Sequence, residues 1–288
     1  MILVTGDTHS EVKRRFKETT FFGGSNYKVE NVLTSRDDFL IICGDFGVIW
    51  DYGGESYEET QELNYLEKLP FTILFVDGNH ENFDRLNAYP IEMWNSGKIH
   101  RIRENVIHLM RGQVFDLPFG AEYRRVFTFG GARSHDIFDG ILDPEKDEEK
   151  IKQWNKHNLH VQYNYFGDGG KYRYFRVLNQ TWWSDEMPNE LEYQEGVENL
   201  DKVNWNVDYI ITHDCGSTVR DMLGYTKVED KNELTSYLNM IYNNCTYKFW
   251  YFGHLHEDNW VTEKDCLLYH KIIPVDIIGA SSILDLFN

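Results

Sequence analysis

Along the 288 residues the spacing of apolar positions switches repeatedly between two rhythms. Short, nearly unbroken apolar runs rich in Ile, Val, Leu and Phe predict buried strands. They fall at 2–5, 39–43, 72–76, 106–110, 114–117, 126–129, 209–212, 248–252, 266–273 and 275–278. Apolar residues three and four apart predict helices over 57–69, 144–157, 188–203, 217–223 and 231–242, with a short one opening at 82–86. Strand and helix alternate in the first third, which predicts parallel pairing. Residues 105–130 predict short strands with tight turns, Arg111-Gly112-Gln113 forming a hairpin tip. Two mixed sheets packed face to face, with helices outside, account for the order better than one open sheet.

No repeat, low-complexity tract or Pro-rich linker divides the chain, so one domain over 1–288 is expected. The segment at about 158–183 stands apart. It is crowded with Tyr and Phe and carries GDGG at 167–170. Two readings stay open: a hairpin insertion that covers or extends a site, or an insertion packed on the body. Trp182 and Trp183 are expected to serve packing rather than base stacking.

Composition narrows the function classes. Hydrophobic residues make up 41% and aromatics 15%, enough for a large core. The net charge of −18 argues against long duplex nucleic acid as the main partner, because binding that backbone needs clustered Lys and Arg. A small phosphorylated substrate stays open, since bound metals would invert the local field. Cys43, Cys215, Cys245 and Cys266 form no CxxC pair, and no disulfide framework is expected. Met1 leads directly into ILVTGD, and no apolar run approaches the ~18 residues that span a bilayer. A cytoplasmic protein with no membrane partner is expected. The sequence sets no oligomeric state.

The chemistry sits where apolar runs end. TGDTHS at 5–10, GDFG at 44–47, DGNHE at 77–81, a histidine closing VDYIITH at 207–213, and GHLH at 253–256 each follow such a run. Together they supply Asp7, His9, Asp45, Asn79, His80, His213, His254 and His256. Residues two apart on an extended end point the same way, so Asp7 with His9, and His254 with His256, can each share an ion. Asp45 can bridge two ions, and the neutral Asn79 oxygen lowers the charge cost of the second. The glycine before each string permits a sharp turn and close backbone approach. The set can hold two divalent ions about 3.5–4 Å apart, with one histidine left for proton transfer. Mixed carboxylate, amide and imidazole donors suit borderline transition metals better than Ca or Mg alone. His100, His108, His157, His160 and His270 have no ligand context.

The ordered set D-x-H, GD, GNHE, H and GHxH resembles the calcineurin-like metallophosphoesterase superfamily. GGARSHD at 130–136, Thr181-Trp182-Trp183 and the run 198–213 resemble a branch of small bacterial and phage metallophosphatases. The resemblance implies a four-layer α/β/β/α sandwich with a dinuclear metal site at the C-terminal ends of the strands. It implies that Asp7, His9 and His256 hold one metal, that Asp45 bridges, and that Asn79, His213 and His254 hold the other. Manganese is the first expectation, with Fe, Zn, Ni or Mg as alternatives. A metal-activated hydroxide would attack phosphorus, and His80 would protonate the leaving group. In the protein-phosphatase branch the second string is GDxxDRG, and its later Asp orients that histidine. Here the position is Val48, so the partner of His80 is open. Arg133 and His135 are candidate substrate contacts. Hydrolysis of a small or protein-borne phosphate monoester is expected. The alternatives are a diesterase or nuclease on short or cyclic nucleotides, and a non-catalytic scaffold.

Overall fold

A computed structural model describes residues 1–18, 28–163 and 171–276. Two mixed sheets carry the fold. In the first, Ile2–Thr5, Phe39–Ile42, Thr72–Phe75 and Val106–Leu109 run parallel, in that order. Ile272–Pro274 closes one edge antiparallel to Ile2–Thr5, and the hairpin Gly97–Arg103 with Ile91–Trp94 closes the other. In the second sheet Glu122–Phe129, Tyr209–Thr212, Phe249–Phe252 and Asp265–Leu267 run parallel. Gln113–Phe119 and Asn259–Trp260 form its antiparallel edges.

Side chains alternate across each sheet, and both faces are covered. In Phe39–Ile42, Phe39 and Ile41 face the second sheet, where they join Phe115, Val126, Tyr209 and Tyr251. Leu40 and Ile42 face outward with Leu63 and Leu66 of the helix Tyr57–Glu67. On the far side, Phe127, Ile210 and Trp250 pack on Leu200 of Glu190–Lys202 and on Leu234, Leu238 and Ile241 of Glu233–Asn244. The result is helix, sheet, sheet, helix, as expected.

Several expectations need correction. Arg111-Gly112-Gln113 is no hairpin tip: Val106–Leu109 lies in the first sheet and Gln113–Phe119 in the second, so these residues cross between layers. The hairpin turn is at Gly120-Ala121, where Phe119 pairs with Glu122 and Gly120 has φ +64°. The run 266–273 is two strands in different sheets. Asp258 accepts the backbone N–H groups of Tyr269, His270 and Lys271 and pins the bend between them. Val275 and Asp276 are not in a strand, and 277–278 lie outside the described residues. Of the two readings of the segment at about 158–183, the described residues show no hairpin. Residues 158–163 end the helix Glu148–Tyr163, GDGG lies outside the described residues, and Phe175–Val177 pairs parallel with Gly140–Leu142. Among the described residues no helix is long and apolar enough to cross a membrane.

Candidate metal centre

Every predicted string follows a parallel strand, so all of them open onto the same rim. The loops interlock through backbone bonds: the N–H groups of Thr8 and His9 donate to the Asp45 carbonyl at 3.0 and 2.8 Å. The turns are sharp. His9, Ser10, Asp45, His254 and His256 all have positive φ, between 45° and 68°. Left-handed backbone at non-glycine residues costs about 1–3 kcal/mol each and gathers at functional sites. Glycine is required where backbone meets ligand side chain. A Cβ on Gly78 would lie 2.0 Å from Asp45 Oδ1, and one on Gly44 (φ +87°) 2.1 Å from His213 Nδ1.

One oxygen of Asp45 faces each of two groups. On the outer side, Asp7, His9, Asp45 and His256 each place a donor atom within 4.8 Å of the others. His256 Nε2 lies 3.1 Å from Asp7 Oδ2 and 3.1 Å from His9 Nε2. Tyr269 stacks on the His256 ring at 4.6 Å and holds this exposed side chain in place. Arg15 lies under Tyr269 and donates to the main-chain oxygens of Asp7 and Tyr269.

On the inner side, His213 Nε2 lies 3.3 Å from both Asp45 Oδ1 and Asn79 Oδ1. The proton inventory here is constrained. His213 Nδ1 donates to the Cys43 carbonyl at 2.8 Å, and the Asn79 amide nitrogen donates to Ser134 Oγ. A neutral His213 therefore turns a bare nitrogen toward two oxygens, and three lone pairs converge on one point. Burial works against a charge on His213, but Asp45 and Asp7 outweigh it, so its pKa rises to about 10. A proton answers the convergence in the metal-free protein. A divalent cation answers it with twice the charge and a donor set it prefers. The residues present fit a metal.

His254 is 5% exposed, with its ring 5.0 Å from that of His213. Its backbone N–H donates to Asp7 Oδ1 and Oδ2 at 3.0 and 3.2 Å. Burial lowers its pKa to about 3, so the ring is neutral and able to bind a metal. His80 lies beside the cluster. Its backbone N–H donates to Asp45 Oδ1 at 2.9 Å, and its ring sits 5.0 Å from His9 and 5.6 Å from Trp50. Burial lowers its pKa, with Asp45 opposing. His135 reaches the rim, 5.6 Å from His254. Arg133 is exposed and forms no ion pair among the described residues. Sequence reasoning missed Tyr269, Arg15 and Glu186, whose contacts join distant parts of the chain. Cys215 packs in the helix-side core rather than in the site.

The calcineurin-like phosphoesterase family model matches residues 1–258. The chain belongs to the calcineurin-like phosphoesterases. No curated protein sequence matches it. Among solved structures, the crystal structure of phosphopantetheinyl hydrolase (PptH) from Mycobacterium tuberculosis is similar at 14% identity and a TM-score of 0.43, over 94% of this chain and 88% of that one. Family membership and the buried Asp–His cluster together support metal-dependent hydrolysis of phosphoester bonds.

Proposed function

We propose that this phosphoesterase cleaves phosphate monoesters with two divalent ions, manganese first among them. Asp7, His9 and His256 would hold one ion, Asn79, His213 and His254 the other, and Asp45 would serve both. The observation that carries the reading is the placement of Asp45, with Oδ2 toward His9 and Oδ1 toward His213. Bound there, the ions supply Lewis-acid stabilisation of phosphoryl charge and lower the pKa of water toward neutrality. His80 delivers a proton to the leaving oxygen. Trp50, tilted over His80, and the hydrogen bond from the His80 backbone to Asp45 fix where that proton is presented.

The leaving group has room in a cavity of about 460 Å³ that adjoins His9 and His80 and is walled by Val48 and Trp50. That volume suits a small molecule or a single side chain. Asp51, Glu58, Glu59 and Glu62 also line it, which disfavours an anionic leaving group such as a nucleotide. The diesterase and nuclease readings therefore rank second. The same proposal sets the enzyme in the cytoplasm, acting on a small or protein-borne ester, and leaves Arg133 and His135 as substrate contacts at the rim. The four buried cysteines, all free thiols, and the net charge of −18 support that setting.

The test is hydrolysis of mono- and bis-(p-nitrophenyl) phosphate by metal-stripped protein, with Mn²⁺, Ni²⁺, Zn²⁺ and Mg²⁺ added back in turn. The expected result is metal-dependent turnover of the monoester, lost in Asp45→Asn and His80→Ala. Preference for the diester would favour the second reading. Absence of both bound metal and turnover would overturn the proposal.

A further inference from the structure

We propose that Ser134 and Glu186 are positioning residues for Asn79, forming a buried carboxylate–hydroxyl–amide relay that orients the amide oxygen and strengthens it as a metal donor. The inference rests on the reading of Asn79 as a ligand of the second ion. It also gives the segment 130–136 a task beyond a strand-end turn.

The geometry fixes the direction of the relay. Ser134 Oγ donates to Glu186 Oε2 at 2.5 Å, and the Ser134 backbone N–H donates to Glu186 Oε1 at 2.9 Å. A hydroxyl has one proton. With that proton committed to Glu186, Ser134 Oγ can only accept from Asn79, whose amide nitrogen lies 3.3 Å away. The Asn79 amide is thereby held with nitrogen toward Ser134 and oxygen toward His213 Nε2. A flipped amide would offer N–H to the site and could not bind a cation. All three side chains are buried, at 2%, 5% and 4% exposure for Glu186, Ser134 and Asn79.

The chemistry follows from polarisation. Hydrogen bonds in a chain strengthen one another in a low-dielectric interior. A carboxylate at the far end pushes electron density through the hydroxyl onto the amide, and the free end of that amide is the oxygen facing the site. Glu186 suits this role. Among the described residues it forms no ion pair, and Arg111 donates to its main-chain oxygen rather than to its carboxylate. Burial raises its carboxyl pKa, and the two Ser134 hydrogen bonds oppose that rise. A neutral ligand thus gains part of the donor strength of a carboxylate without placing another full charge at the site. Residues that orient metal ligands in this way are worth about 10–100-fold in metal affinity.

The experiment titrates Mn²⁺ into metal-stripped wild type, Ser134→Ala, Glu186→Gln and the double variant, by calorimetry with paramagnetic resonance counting of bound ions. Wild type is expected to bind two ions. Each single variant should keep the first at wild-type affinity and bind the second about 10–100-fold more weakly. The double variant should be no worse than Ser134→Ala, because both changes cut one relay. Equal weakening of both ions, no weakening, or additive losses would overturn the proposal. If Ser134→Ala fails to fold, the near-isosteric Glu186→Gln carries the test alone. A wild type that binds a single ion removes the ligand reading beneath the inference. A wild type that binds two, with variants unchanged, removes only the inference.

Discussion

Two buried polar clusters lie on either side of the loop 77–81, and they are built on opposite principles. Toward the rim, His213 Nε2 meets the oxygens of Asn79 and Asp45 at 3.3 Å, and a neutral His213 leaves three lone pairs there that only an added proton or a cation balances. Beneath, Asp77 accepts from Arg111 Nε and Nη2 at 2.8 and 2.6 Å and from His108 Nε2 at 3.0 Å. His108 Nδ1, left bare by that bond, accepts a hydrogen bond from His100 Nδ1–H at 3.1 Å. Here Asp77, Arg111 and His108 each meet a partner of the opposite kind. Burial would raise the Asp77 carboxyl, but Arg111 and His108 outweigh it and hold it ionised. Both clusters are buried and rich in His and Asp, so neither trait marks a site. The difference is whether the hydrogens balance without an added proton: a cluster that balances on its own is scaffold, and one that must take up a proton to balance offers that place to a cation.

The sharpest way to break this comparison is to delete one charged side chain from each side. Asp45→Ala should abolish metal-dependent turnover and change the melting temperature of metal-free protein little, because His213, held protonated by that carboxylate, can shed its added proton once it is gone. Arg111→Met should do the reverse to stability. It strands a buried Asp77, which costs about 3–5 kcal/mol, or roughly 10 °C at ~2–4 °C per kcal/mol. Thermal melts of stripped protein decide it. A large loss in Asp45→Ala, or none in Arg111→Met, would erase the distinction.

Metal addition is the next largest effect. An ion that binds only the folded state stabilises by about 2.7 kcal/mol at 100 times its dissociation constant. Wild type should gain several degrees with Mn²⁺ and lose them to a chelator. Asp45→Ala should gain almost nothing. An equal gain in both proteins would mean that the ion binds elsewhere.

The rim cluster was legible in the sequence because its grammar is local. A buried strand, a glycine and a ligand sit within about seven residues, and parallel strands bring their ends to one place. The lower cluster was not legible. Asp77 and Arg111 are 34 residues apart, and nothing around His108 marks it as a partner of Asp77. Ser134 and Glu186 are separated by 52 residues, so GGARSHD offered a motif without its meaning. The layer crossing at Arg111-Gly112-Gln113 misled for a related reason. A turn between two strands looks the same whether they pair or part into different sheets. Cys266 and Ile273 lie in one apolar run because both are buried between the sheets, and apolar character alone does not say which sheet holds each.

The smallest expected effect separates the clusters by pH. Burial lowers the pKa of His100 to about 4, His108 adds to the fall, and Asp77 opposes it. In the unfolded chain the imidazole sits near ~6.5. Between these values the unfolded chain binds more protons than the folded one, so stability rises with pH. The contribution is complete above about 6.5 and is lost as pH falls toward 4. Melting of wild type should therefore drop between neutral pH and pH 5 by more than that of His100→Asn. Burial also lowers the pKa of His9 and His254 at the rim, but metal should suppress their share by excluding protons. The His100 share should stay the same with and without Mn²⁺, because the lower cluster offers no converging lone pairs to a cation. If Mn²⁺ removed the difference between wild type and His100→Asn, the two clusters would be one electrostatic unit, and the balance of hydrogens would not separate scaffold from site.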